Sequence, residues 1–354
     1  MSKILTLIFG VVVVLSIASC QADEVALPTP TSMPEPTSLP TSTPKADPSP
    51  TNIIGTPTAE PLCFAPVDLN PIAFTPDNAM LVIKGSTEVQ IFNLKTMKEE
   101  KFLQASQNIM AAAFAPDGQT LAWALEDFTI QLVQVSDGKI LNSMTGHTNM
   151  ITKLLFSPGG DKLFSASADG HVKIWSTEGE PLDDLVVGPE VEGIGISADG
   201  TQLATVPFDG PVELWGLSEN KKIKALGGTG GFVTSDAVFS PDGKYLAADL
   251  ASGLFLWRLS DGKSLWDDLK NSMAITYSPD GRFLAYALIA DDSQIILASP
   301  DGAQIIHTLE GMQGSVWGLI FSPDGSLLAA TNGNEIWIWQ VVDGKLLYVG
   351  KSAC

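Results

Sequence analysis

Positive charge is scarce in this chain of 354 residues: 20 Lys and Arg stand against 40 Asp and Glu, for a formal charge of −20. Nucleic-acid phosphates need clustered Lys and Arg, so a nucleic-acid binder is excluded. Electrostatic docking onto anionic lipid is excluded for the same reason. Cysteine and histidine number three each. No two histidines fall at metal-ligand spacing, and no Cys/His cluster exists. A G-x-S-x-G nucleophile elbow is absent. Helical periodicity is absent too: no 11-residue run keeps an apolar stripe free of Gly and Pro. The one long apolar run, ILTLIFGVVVVLSI (4–17), has 14 residues, short of the about 20 that a membrane span requires.

That run has the length of a signal-peptide core, with Lys3 before it and the small residues Ala18 and Ser19 after it. The stretch IASC (17–20) resembles the lipobox of bacterial lipoproteins, which implies cleavage before Cys20 and a diacylglycerol on its thiol. Ordinary secretion and an uncleaved anchor are the alternatives, and all three readings place the rest of the chain outside the cytoplasmic membrane. Residues 1–19 are thus expected to be a signal peptide. From 20 to 62 the chain alternates Pro with Thr and Ser and has little to bury. Proline biases such a segment to extended polyproline II, so about 40 residues reach on the order of 100 Å. It is expected to be a disordered stalk.

From residue 63 onward one pattern recurs. An apolar residue followed by roughly Ser-Pro-Asp-Gly appears as FTPDN (74–78), FAPDG (114–118), FSPGG (156–160), ISADG (196–200), FSPDG (239–243), YSPDG (277–281) and FSPDG (321–325). The intervals are 40, 42, 40, 43, 38 and 44 residues, the period of a β-propeller blade. The turn has a mechanism: Pro presets φ, Asp bonds nearby backbone, and Gly takes the positive-φ corner. Around each turn lie four short apolar runs, such as ITKLLF, KLFSAS, VKIW and a fourth after a second turn. Seven four-stranded units predict an all-β, seven-bladed ring over 63–354.

These turns, with a Trp ending the third run at 175, 215, 257 and 339, resemble WD40 repeats. Phe92, Val133 and Leu297 hold the Trp place in the other units. The Asp that follows the family's Trp is absent, since Ser176, Gly216, Arg258 and Gln340 stand there, and the Gly-His opening occurs once, as Gly146-His147. The resemblance implies a structural tetrad in the third unit alone: His147, Ser165 or Ser167 (Ser167 being assigned), Asp169 and Trp175. It implies little about function, because this architecture hosts many.

With Cys20 assigned to lipid, Cys63 and Cys354 remain, and the ends of a ring are neighbours. A Cys63–Cys354 disulfide is therefore expected, with two free thiols as the alternative. Whether 62–67 or 345–349 completes the last blade is open. GIGISA (193–198) matches a dinucleotide fingerprint only in letters, because it runs from a strand into a turn. His171 reads as an exposed turn residue and His307 as part of a fourth strand. The turn acids (Asp77, Asp117, Asp199, Asp242, Asp280 and Asp324) read as structural. Acids between the second and third runs are the partner-binding candidates: Glu126, Asp127, Asp169, Asp209, Asp249, Asp291 and Asp292, with Phe208 and Phe232 as apolar anchors. The expectation is a monomeric, non-enzymatic, lipid-anchored scaffold, without metal or cofactor, that binds a protein with a basic segment. The alternative is a small-ligand or cation receptor, or an enzyme, with its site at the channel mouth.

Overall fold

The computed structural model describes residues 63–64 and 70–352, apart from 97, 229–235, 252, 270–271, 289–293 and 313. The signal and stalk (1–62), Cys20, Phe232, Asp291, Asp292 and Cys354 lie outside these residues, and so the lipid and disulfide assignments do too.

The chain folds as seven consecutive antiparallel sheets, spanning 70–104, 109–144, 151–186, 191–227, 236–269, 272–309 and 318–352. Each has four strands in chain order, so each blade is a run of hairpins complete in itself. The seventh gains a short fifth strand, Cys63–Phe64, which lies parallel to its outer strand Leu346–Ser352, with Cys63 opposite Lys351. Both segments left open by the sequence are therefore used: the C-terminal one as fourth strand, the N-terminal one flanking it.

A propeller blade is twisted and apolar on both faces, so it is stable only against neighbours. The buried side chains fall into seven clusters, one at each seam between blades. The closing seam is no exception: Phe74, Leu81 and Phe92 of blade 1 pack with Ile336, Ile338 and Tyr348 of blade 7. The ring thus shuts by side-chain packing of the same kind that joins every other pair. The Trp series is fixed by register, with Trp175, Trp215, Trp257 and Trp339 opposite Leu163, Leu203, Leu246 and Leu328. Phe92 and Val133 stand opposite Leu81 and Leu121 in the same way, but in blade 6 Leu284 faces Ala298, so Ala298 and not Leu297 holds the Trp place.

The Pro-Asp-Gly turns join inner to second strand on one face of the ring. In each of several blades Ser and Asp close the turn together. Ser322 Oγ donates to Asp324 Oδ1 at 2.7 Å, which accepts the Ser326 N–H at 2.9 Å. The turn acids are engaged locally, and the Thr75 hydroxyl and Ala79 N–H hold Asp77 below the usual carboxylate range. In blade 3, where Gly159 replaces the Asp, Asp161 takes the Ser157 hydroxyl at 2.8 Å. Neighbouring turns also touch. A Cβ on Gly118 (φ 71) would lie 2.8 Å from Pro76 of the preceding blade, whereas one on Gly160, Gly200 or Gly281 would be in ordinary contact with Pro116, Pro158 or Pro241 at 3.6, 3.8 and 3.9 Å. Gly243 has nothing within 4 Å, because the preceding turn carries Ala198 where the others carry Pro. At the closing seam the Asp324 N–H points to Asn78 Oδ1 at 3.4 Å.

Candidate functional site

The opposite face carries the loops between blades and the turns from second to third strand. The two sets are tied together, as when the Ala168 N–H donates to Met150 O at 2.9 Å and the Phe208 N–H to Glu190 O at 3.0 Å. The tetrad of blade 3 anchors this face. Indole N–H can only donate, so Trp175 Nε1 gives its hydrogen to Ser165 Oγ at 2.8 Å. The Ser165 hydroxyl then donates to His147 Nε2 at 2.7 Å, and His147 Nδ1–H to Asp169 Oδ2 at 2.8 Å. Asp169 also accepts the N–H groups of Thr148 and His171. Burial pulls the His147 ring below its ordinary range, against the opposing pull of Asp169. Burial pushes Asp169 up, but the N–H of Thr148 and the His147 ring leave it below the usual carboxylate value.

Ser165, not Ser167, is the tetrad hydroxyl. The Ser167 hydroxyl donates to Asn149 O and accepts the Asp169 N–H, shaping the loop instead. Blade 4 keeps half the device, Trp215 Nε1 to Thr205 Oγ1 at 3.1 Å. Blade 7 keeps the Trp alone: Ala330 and Met312 replace serine and histidine, and the buried Trp339 Nε1 has no partner.

The candidate acids separate. Glu126 and Asp127 are exposed on the blade 2 turn and accept the Asn108 and Gln107 amides at 2.8 and 2.9 Å. The Thr129 N–H and then Gln107 hold Asp127 below its usual range. Asp209 is exposed on the blade 4 turn, with Phe208 half-buried beside it, and Asp169 belongs to the tetrad. Asp249 is a correction: it is not on a loop but within the second strand of blade 5 (Tyr245–Leu250), 2% exposed. The strand ends at the same register as those of blades 2, 3 and 4, and Asp249 takes the place that Ala124, Ala166 and Val206 hold there. His171 likewise opens the third strand of blade 3 (His171–Ser176), where its Nδ1 meets Asp184 at 2.7 Å.

Three apolar residues escaped the sequence reading. Trp317 (47% exposed) and Met150 (40%) stand where the inner strands of blades 7 and 3 begin. Both line a cavity of about 670 Å³ running into the ring. Phe128 sits in the turn beside Asp127 at φ 68, where the matching turn of blade 3 has Gly170 at φ 90. A bulky residue in that region is strained by about 1 kcal/mol or more. Its signal was readable as a missing Gly in EDFT against SADG. Along the cavity wall Lys153 of blade 3 pairs with Asp236 of blade 5 at 2.6 Å, passing over blade 4, whose nearest wall positions include Glu192. Burial, then Glu190, pushes Glu192 up. Lys84 donates to Ile109 O at 2.9 Å. Among the described residues no group of three His, Cys, Asp or Glu could hold a metal ion.

The described loops of this face carry Glu126, Asp127, Asp169, Glu190, Asp209 and Glu310, and among them no Lys or Arg. The opposite face mixes signs, with Lys95, Lys139, Lys244, Arg282 and Lys345 on its turns.

The family model for the WD domain, G-beta repeat, matches residues 138–176 and 303–340. Each match takes the outer strand of one blade and the first three of the next. These two stretches are thus similar to WD40 repeats. The chain is 32% identical over 229 positions to apoptotic protease-activating factor 1 of Rattus norvegicus, covering 60% of this chain and 18% of that protein. It is 25% identical over 157 positions to COMPASS component SWD3 of Saccharomyces cerevisiae, covering 43% and 50%. With serine-threonine kinase receptor-associated protein of Gallus gallus the identity is 27% over 111 positions, covering 31% and 32%. The chain thus spans half or less of each of these relatives.

Proposed function

We propose that the chain is an interaction scaffold, tethered outside the cytoplasmic membrane by lipid on Cys20, that grips a basic segment of a partner protein on its acidic loop face. The observation that carries this reading is the pairing of charge and anchor. One face has six acids and no base among its described loops, and the same face exposes Trp317 and Met150 at the mouth of the central cavity. Buried aromatic anchors ringed by polar groups are where binding energy concentrates, and an acidic rim steers a cationic partner. Strain kept at Phe128 fits a residue retained for contact rather than for stability. Two of the relatives are named as parts of assemblies, a COMPASS component and a receptor-associated protein. A stalk of Pro, Thr and Ser would hold this face clear of the membrane.

The test uses the full chain in its membrane. Chemical cross-linking and co-purification are compared among the parent, W317S, the triple variant E126Q/D127N/D209N, and the opposite-face variant K244A/R282A. A partner lost from the first two variants and kept by the third is the expected result. Retention by the loop-face variants, or loss only from the opposite-face variant, removes the reading. The anchor is tested separately: labelled fatty acid should enter the parent and not C20A.

A further inference from the structure

The carboxyl of Asp249 has no part in the partner surface. It is buried in the cavity wall, and its Oδ2 accepts the Ala274 N–H of blade 6 at 2.8 Å. Ala274 is a non-glycine residue at φ 52. It sits at the irregularity of the inner strand Ser272–Tyr277, where register shifts between Met273 and Ile275. One carboxyl therefore pins a strained bulge of the next blade, and a bulge left without its acceptor would have an unpaired buried N–H.

Among the described residues the charged surroundings are few. On the inner strand of blade 5, Asp236 stands directly opposite Asp249 in register, and its carboxylate is taken by Lys153. The third strand presents Leu254 opposite Asp249. On blade 6 the ionisable Tyr277 lies at the far end of the strand and donates its hydroxyl to Pro300 O. Glu192 and Lys84 are the other ionisable side chains of the cavity wall. Among the described residues, the Lys153 ammonium is spent on Asp236, the carboxyl directly opposite Asp249.

We propose that Asp249 is a proton-controlled strut between blades 5 and 6: neutral, it holds the Ala274 bulge in place, and ionised, it loosens that seam, because a charge buried in the wall opposite Asp236 is drawn out to water. Burial outweighs the downward pull of the Ala274 N–H and, with a smaller push from Asp236, raises Asp249 to about 7, so the change falls near neutrality. The sign follows from linkage. The opened seam returns the carboxyl to water, where it titrates near 3.9. The closed form therefore binds the proton more tightly, and closure weakens as pH rises between those values.

Hydrogen exchange of the Ala274 amide in the full chain, corrected for intrinsic rates, reads this directly. In the parent, protection should fall about tenfold per pH unit between pH 5 and 6.5 and level off above about pH 7.5. D249N, which keeps an oxygen for the Ala274 N–H, should vary less than about twofold over the same range. Carboxyl carbon-13 shifts of the parent give a second, variant-free readout, with Asp249 expected to titrate near neutrality. An Asp249 midpoint in the ordinary carboxylate range, or the same pH profile in D249N and parent, overturns the proposal. Neither readout involves a partner, so the outcome is independent of the scaffold reading.

Discussion

Removing the Ser165 hydroxyl tests the tetrad most sharply. In Ser165→Ala two buried groups lose their partner at once: Trp175 Nε1–H, which donates to Ser165 Oγ at 2.8 Å, and His147 Nε2, which accepts from it at 2.7 Å. Ser165 is 0% exposed, so no water replaces it without rearrangement. Each stranded buried polar group costs about 1–3 kcal/mol, so the sum is about 2–6 kcal/mol. Urea unfolding followed by tryptophan fluorescence should show a lower midpoint with an unchanged slope. Ser167→Ala is the control. Its hydroxyl bonds loop backbone, at 3.1 Å to both Asn149 O and Asp169 N, and its loss should cost about 1 kcal/mol. Blade 7 offers the converse. Ala330 occupies the place of Ser165 beneath an unpartnered Trp339 N–H, so Ala330→Ser should gain about 0.5–1.5 kcal/mol. The reasoning fails if Ser165→Ala lies within about 0.5 kcal/mol of the parent, or if Ser167→Ala is the costlier change.

Three further outcomes are expected. Ala198→Pro should raise the thermal midpoint by about 1–3 °C, because six of the seven equivalent turns carry Pro and the Ala198 N–H makes no bond; scanning calorimetry decides, and a fall in the midpoint refutes it. His147 is held below its ordinary range by burial, so the unfolded chain binds the proton first as pH drops. Its contribution to stability should be complete above about pH 6.5 and lost as pH falls toward the folded value, seen as a steeper acid decline in the parent than in H147Q. Equal slopes would refute this. Phe128→Gly should gain about 0.5–1.5 kcal/mol by releasing strain while weakening partner capture several-fold. A less stable variant with full capture would contradict both halves.

The blade count was readable because each turn repeats a local mechanism that needs no distant contact. Trp175, Trp215, Trp257 and Trp339 announced the ends of third strands for the same reason. Ser165 and Ser167 could not be told apart, since residues two apart on a strand face the same side. Only the cross-strand register, which sets Leu163 against Trp175, brings Ser165 to the indole. Asp249 was misplaced because DLASG reads as a loop, whereas Asp249 is the penultimate residue of its strand, where blades 2, 3 and 4 carry Ala124, Ala166 and Val206. The Lys153–Asp236 pair left no trace at all: 83 residues separate partners that meet only because the ring curves. Trp317 was visible as a residue but not as an anchor, because its exposure depends on where the inner strand of blade 7 starts.

The four antiparallel strands of every sheet come from an unbroken length of chain, and only the short strand Cys63–Phe64 is added to the seventh from elsewhere. That added strand apart, such a wheel has no privileged spoke. The polypeptide could be rejoined near 352 and 70 and opened instead between any two neighbouring sheets, and each spoke would still be made of one continuous segment. Closure is then a property of the rim as a whole, renewed at whichever gap the chain happens to leave.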